Sequence, residues 1–243
     1  MVSIVKKCKK AVADLGRILL VHKHQNSVII TKAPGKMDAE NYIYHKEAIT
    51  MDFYKRALEL KDETVADRRY IHQNAETGLE LPKTKAYVMD KLKEYGLDPV
   101  ECGEGVTATL GNGGRVLLLR ADMDGLPMPE ESGEAFACPT GKTAHTCGHD
   151  FHAAMLLSAA RILKEQESKL KGTVKFMFQP AEETFQGSKN MIEHGILENP
   201  KVDAALAYHV SPGKMPVGLF MYNDKGTMMY SVDGFKITVK GKG

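Results

Sequence analysis

The stretch RVLLLRADMD, residues 115–124, decides the fold. VLLLRA reads as a β-strand that ends at Asp122, with Asp124 just beyond it. The same rhythm continues downstream. A long loop leads to a predicted helix from about Phe151 to Leu170. Strand TVKFMFQ (173–179) stops at Pro180, a short helix GSKNMIEHG follows, and strand VDAALAYH (202–209) ends at His209. Alternating apolar strands and helices predict an α/β fold, a mostly parallel sheet flanked by helices on both faces.

Upstream, FYKRALELKDETVADRRYIHQ (53–73) combines strong helix formers with apolar residues at helical spacing and predicts one helix, broken by NAETG. A second helix is predicted from about Pro82, with proline in the first turn, to Tyr95, closed by Gly96. VTATL and RVLLLRA, separated by Gly111-Asn112-Gly113-Gly114, read as a β-hairpin. SVDGFKITVKGKG (231–243) alternates like an antiparallel strand opening another subdomain. In residues 1–50, positions 11–21 suit a short helix and SVIIT (27–31) a strand without an evident partner; Met51 is a plausible alternative start. The expected division is 1–50 as an extension, 51–230 as the main α/β domain and 231–243 as the start of a second.

The 243 residues suffice to bury a real core, and 43% hydrophobic with 26% charged residues is ordinary for a soluble protein. A net charge of +2 points to neither nucleic acid nor an anionic membrane as partner. Four cysteines without tight spacing are not a disulfide scaffold, and a reducing cytoplasm is the expected setting. No apolar run approaches a membrane span. The lysine-rich start followed by AVADLGRILLV resembles a signal peptide, but Asp14 and Arg17 interrupt the apolar stretch and no clean cleavage site follows.

The chemistry gathers at the carboxyl ends of the strands, where open α/β sheets bind ligands. Asp122 and Asp124 follow the first strand, Glu182 and Glu183 the second, and His209 ends the third. The loop before the long helix adds HTCGHDFH, with His145, Cys147, His149, Asp150 and His152. Thiolate, imidazole and carboxylate together are metal donors, and Gly148 lets the backbone turn so that Cys147 and His149 can face one ion. Each residue alone has a plainer reading: turn-capping aspartates, a solvated acidic pair, a backbone-bonded histidine, an ordinary buried thiol. Convergence of four segments on one sheet edge favours the metal reading. Of two adjacent carboxylates in a non-helical loop, one can bind metal while the other faces substrate and moves a proton, as metal-assisted hydrolysis requires. A thiol hydrolase with Cys147 as nucleophile is the competing enzyme class, but it leaves the acidic strand ends unexplained.

RADMDGLP, HTCGHDFHAA, FQPAEE and YHVSP, in this order, with RRYIHQNAETG near residue 70, resemble the aminoacylase/carboxypeptidase-type metallo-amidohydrolases, in the branch of hippurate hydrolases, auxin-conjugate hydrolases and N-acetyl-diaminopimelate deacetylases. The resemblance covers about residues 51–243. It implies a catalytic α/β domain with an inserted lid that mediates homodimerisation, and two divalent metal ions (Zn, Mn or Co). The substrate it implies is a small N-acyl amino acid or peptide-like molecule. It maps metal ligands onto Cys147, His149, Glu183 and His209, the general base onto Glu182, and a supporting or catalytic role onto Asp122 and Asp124. Thr146 stands where the family has alanine. The family pattern continues past Gly243 into the lid and a later histidine ligand, which implies an amino-terminal part that is weakly active or inactive alone, or a non-catalytic metal-binding remnant.

Overall fold

The computed structural model describes residues 20–24, 27–31, 52–213, 218, 221, 231 and 233–242. They fall into two compact units. The first, residues 52–212 of those described, contains a five-stranded sheet with strands β3 (Val100–Cys102), β4 (Gly105–Gly111), β5 (Val116–Asp122), β6 (Thr173–Gln179) and β7 (Ala204–Ala207). Its helices are α1 (Phe53–Glu59), α2 (Lys61–Gln73), α3 (Pro82–Glu94), α4 (His149–Lys164) and α5 (Gly187–Glu193). In the second unit, β1 (Leu20–His24) and β2 (Ser27–Thr31) form an antiparallel pair in which Leu20 faces Thr31. SVIIT is therefore a strand, and its partner begins inside the stretch expected to be helical; residues 11–19 lie outside the described residues.

The sheet order is β3-β4-β6-β5-β7. β5 runs parallel to both β6 and β7, while β4 is antiparallel to β6 and β3 to β4. The α/β class and the parallel centre match expectation; the antiparallel edge makes the sheet mixed. The expected hairpin is corrected. β4 and β5 are not paired, because β6 inserts between them. All seven residues of β6 are buried, and an apolar strand gains most where both its faces and both its edges are covered. Residues 233–242, expected as a strand, have no strand assignment. Alternation creates a ladder only where a neighbouring strand supplies hydrogen bonds.

The two faces of the sheet carry separate cores. Val106, Ala108, Leu110, Ala121, Val174, Phe176 and Phe178 pack beneath α2, α3 and α4 with Ile71, Val88, Leu92, Ala153 and Leu157. Leu118 and Met177 face the other way, against Cys102, Met191 and Ile196. This is the period-two alternation of strand side chains. The single helix expected from 53 to 73 is divided at the buried Leu60 into α1 and α2. Ahead of α3, the Glu76 carboxylate accepts from the N–H groups of Lys83 (3.1 Å) and Thr84 (2.9 Å), supplying the cap that proline and its neighbours lack. The predicted helix after Phe151 begins two residues earlier, at His149, and ends at Lys164, with a 3₁₀ turn at Glu167–Lys169.

Candidate metal centre

Three strand ends and the first turn of α4 build the site. Cys147 and His149 flank Gly148, whose φ is 92° and whose added Cβ would come within 2.5 Å of Val210 Cγ2. Only glycine fits there, and it turns the two donors together. Donor atoms of Cys147, His149 and His209 lie within 4.8 Å of one another, as do those of His149, Glu182 and Glu183. His149 is common to both sets. Cys147 Sγ sits 3.3 Å from His209 Nε2.

Both imidazoles are oriented from behind. His149 Nδ1–H donates to the Asp124 carbonyl at 2.8 Å, and His209 Nδ1–H donates to the Val210 carbonyl at 2.5 Å. Each Nε2 is thereby left with a bare lone pair facing the cluster, the arrangement by which proteins fix histidine as a metal ligand. His149 Nε2 and Glu183 Oε1 are buried without a hydrogen-bond partner and stand 3.8 Å apart. That is too far for a hydrogen bond, yet right for two ligands each about 2 Å from one ion. Glu182 Oε2 is 3.9 Å from the same Nε2. The donor set therefore fits a divalent cation.

The acidic pair is held by a closed turn. Glu182 and Glu183 donate their backbone N–H groups to Asp124 Oδ1 (3.0 Å) and Oδ2 (3.2 Å). Gln186 and Gly187 both donate to the Ala181 carbonyl, and a Cβ on Gly187 would fall 1.5 Å from the Pro180 oxygen. Asp124, buried, thus positions three groups: the Glu182 and Glu183 N–H groups through its carboxylate and His149 through its carbonyl. Asp122 is also buried. It accepts from His152 Nδ1 (2.5 Å) and pairs with Arg120 Nη1 (2.7 Å). Burial works to raise its pKa, but the His152 bond and the charges of Arg120 and His149 outweigh it and hold the group at about 2.

The electrostatics suit a cation. Burial, a hydrogen bond to Glu183 and the charges of Glu183, Glu182 and Asp122 push the Cys147 thiol up to about 12. Burial alone would lower His149, yet Asp124, Asp122 and Glu183 raise it above the ordinary histidine value. Glu182 is raised by burial and then by Asp122. The carboxylates of Asp122, Asp124 and Glu183 thus give the cluster a negative potential that a divalent cation would offset.

The structure brings together the seven residues that the resemblance maps onto the site, Asp122, Asp124, Cys147, His149, Glu182, Glu183 and His209, while Asp150, also named in the sequence, pairs with His72 and Arg68. Sequence reasoning named His152 only as a possible donor and missed its supporting role. His152 has both nitrogens engaged, Nδ1–H on Asp122 and Nε2 accepting from Val210 N–H at 2.8 Å, so it braces the strand end that carries His209. Its spacing from His149, one helical turn, was the available signal. His72 lies between Asp150 and Glu130, while Arg68 Nε also pairs with Asp150 at 2.6 Å.

An α/β sheet with thiol, imidazole and carboxylate donors converging at its strand ends defines a protein with a metal-type donor cluster. Residues 118–239, just over half of the chain, match peptidase family M20/M25/M40, and the chain belongs to that family. It is 38% identical over 188 residues to the N-acetyl-L-cysteine deacetylase of Bacillus subtilis, covering 76% of this chain and 44% of that protein. It is 38% identical over 199 residues to the hippurate hydrolase of Campylobacter jejuni, covering 79% and 50%. A solved dinuclear metal-binding peptidase of the same family from Bacillus subtilis superposes with a TM-score of 0.61 at 33% identity, covering 64% of this chain and 44% of that one. The chain spans about half the length of the curated relatives it matches. Among the described residues no helix is long and apolar enough to cross a membrane.

Proposed function

We propose that the site serves metal-dependent hydrolysis of the amide bond of N-acyl amino acids or small peptide-like molecules. The observation that carries this is the pair of imidazoles, His149 and His209, each with Nδ1–H committed to a carbonyl, His209 with Nε2 beside Cys147 and His149 with Nε2 toward the two glutamates. Cys147, His149, Glu183 and His209 would hold two divalent ions, of zinc, manganese or cobalt. Bound there, such ions would polarise the amide carbonyl and acidify water. Glu183 suits the ligand role because its Oε1 is buried and unpartnered. Glu182 suits the general base: it stands beside Glu183, and its raised pKa lets it take a proton from water and pass it to the leaving amine. Asp122 and Asp124 act from behind. Asp124 sets the glutamate turn and His149, and Asp122 sets His152. The relatives named as a deacetylase of N-acetyl-L-cysteine and as a hippurate hydrolase support an N-acyl amino acid as substrate. Homodimerisation through a lid beginning near residue 231 belongs to the same proposal.

A thiol nucleophile is disfavoured, because burial and then the neighbouring carboxylates push the Cys147 thiol up to about 12. The experiment pairs metal analysis with hydrolysis of N-acetyl and N-benzoyl amino acids. Bound metal should fall on Cys147→Ser and on His149→Ala, and turnover, measured on a version extended to the length of the relatives, should vanish with chelator and with Glu182→Gln. Metal content indifferent to both ligand substitutions, or turnover indifferent to chelator, would defeat the proposal.

A further inference from the structure

The glutamate turn carries a residue that neither metal holding nor proton transfer uses. Phe185 follows Glu183 by two positions and donates its N–H to the Glu182 carbonyl at 2.9 Å. Its φ is 59°, in the left-handed region that a bulky side chain rarely occupies. At 62% it is also the most exposed large apolar side chain between residues 52 and 213. Backbone strain and aromatic exposure each cost stability, and glycine or asparagine at this position would avoid both.

The strain is not slack in the chain. The hydrogen bonds to the Ala181 carbonyl and the tight seat of Gly187 against Pro180 fix the turn on both sides of Phe185. Outliers fixed in this way cluster where a ligand is met. We infer that Phe185 is a specificity-determining residue whose ring contacts an apolar acyl group of the substrate beside the scissile amide. The neighbouring carboxylates, Glu182, Glu183 and Asp122, make the turn a poor place for a substrate carboxylate, so the ring meets the uncharged end. This rests on the N-acyl reading above and narrows it to bulky acyl groups over acetyl.

The test titrates the zinc-loaded 243-residue chain calorimetrically with N-benzoylglycine and with N-acetylglycine, as wild type, Phe185→Gly and Phe185→Asn. The melting temperature of each protein is measured alongside. The wild type should bind the benzoyl compound about tenfold more tightly, the worth of one partly buried ring. Both variants should bring the ratio to about threefold or less, with N-acetylglycine affinity unchanged. Phe185→Gly should melt at the same temperature or up to about 4 °C higher, because glycine accepts the left-handed backbone freely. An unchanged ratio, or variants that melt several degrees lower, would make Phe185 a structural residue and overturn the inference while leaving the N-acyl reading intact. A wild type that binds zinc but neither compound would overturn that reading, and the inference with it.

Discussion

His72→Leu tests the polar network behind the metal loop. His72 Nδ1 lies 2.7 Å from Asp150 Oδ2, and Nε2 lies 2.9 Å from Glu130 Oε1. Both partners are carboxylates, which favour an imidazolium donating from both ring nitrogens. The hydrogen bond to Asp150 raises its pKa above the ordinary value against the cost of burial, with Glu130 adding to it and the Arg68 charge opposing. The Phe136 and His145 rings complete its surroundings. Leucine fills the volume but leaves two buried carboxylates facing each other. Breaking a buried ion pair costs roughly 3–5 kcal/mol. Arg68 remains on Asp150, and the Cys138 N–H and Ser132 hydroxyl remain on Glu130, so the low end, about 3 kcal/mol, is expected. For a domain of this size that is a fall of roughly 6–12 °C in melting temperature. The pH dependence has a defined sign. A raised histidine pKa contributes stability that is complete below about 6.5 and is lost as pH rises through the folded value. Urea unfolding of wild type and variant at pH 6 and at pH 9 should therefore show a gap that is largest at pH 6. A gap below about 1 kcal/mol at pH 6, or one equal at both pH values, would refute a charged His72.

Phe176 is fully buried at the centre of β6, so Phe176→Ala should destabilise by about 3–5 kcal/mol in chemical denaturation. Asp124→Asn keeps the size but weakens the acceptor for the Glu182 and Glu183 N–H groups; zinc affinity by competition with a chromophoric chelator should fall about 10–100-fold. Adding zinc to a hundredfold excess over its dissociation constant should stabilise the chain by about 2.7 kcal/mol in a thermal melt, and Cys147→Ser should shrink that gain.

The α/β class and the strand ends were legible because β5 and β6 are short apolar runs that terminate in acids, a pattern confined to neighbouring residues. The clustering of the seven candidate residues was legible for the same reason, as each sits at a predicted strand end or beside Gly148. What escaped depends on distant partners. His72 reads as any helical histidine until Asp150 and Glu130, 78 and 58 residues away in sequence, are brought to it. The false hairpin arose the same way: the glycine-rich link between β4 and β5 looks like a turn, and nothing local says that β6 will come between them. The division at Leu60 escaped because strong helix formers lie on both sides of it.

The interposed position of β6 also governs the order of assembly. No run of consecutive strands reproduces the arrangement β4-β6-β5, so the sheet has no local hairpin from which to grow at its centre. On a ribosome, residues 105–122 emerge well before 173–179, and until then each of the two earlier strands has an unsatisfied edge. Closing that gap means bringing together segments separated by a helix and a long loop, an entropic barrier met before any of the sheet's contacts can repay it. Any pairing of β4 with β5 made before β6 emerges would have to open for the native order to form.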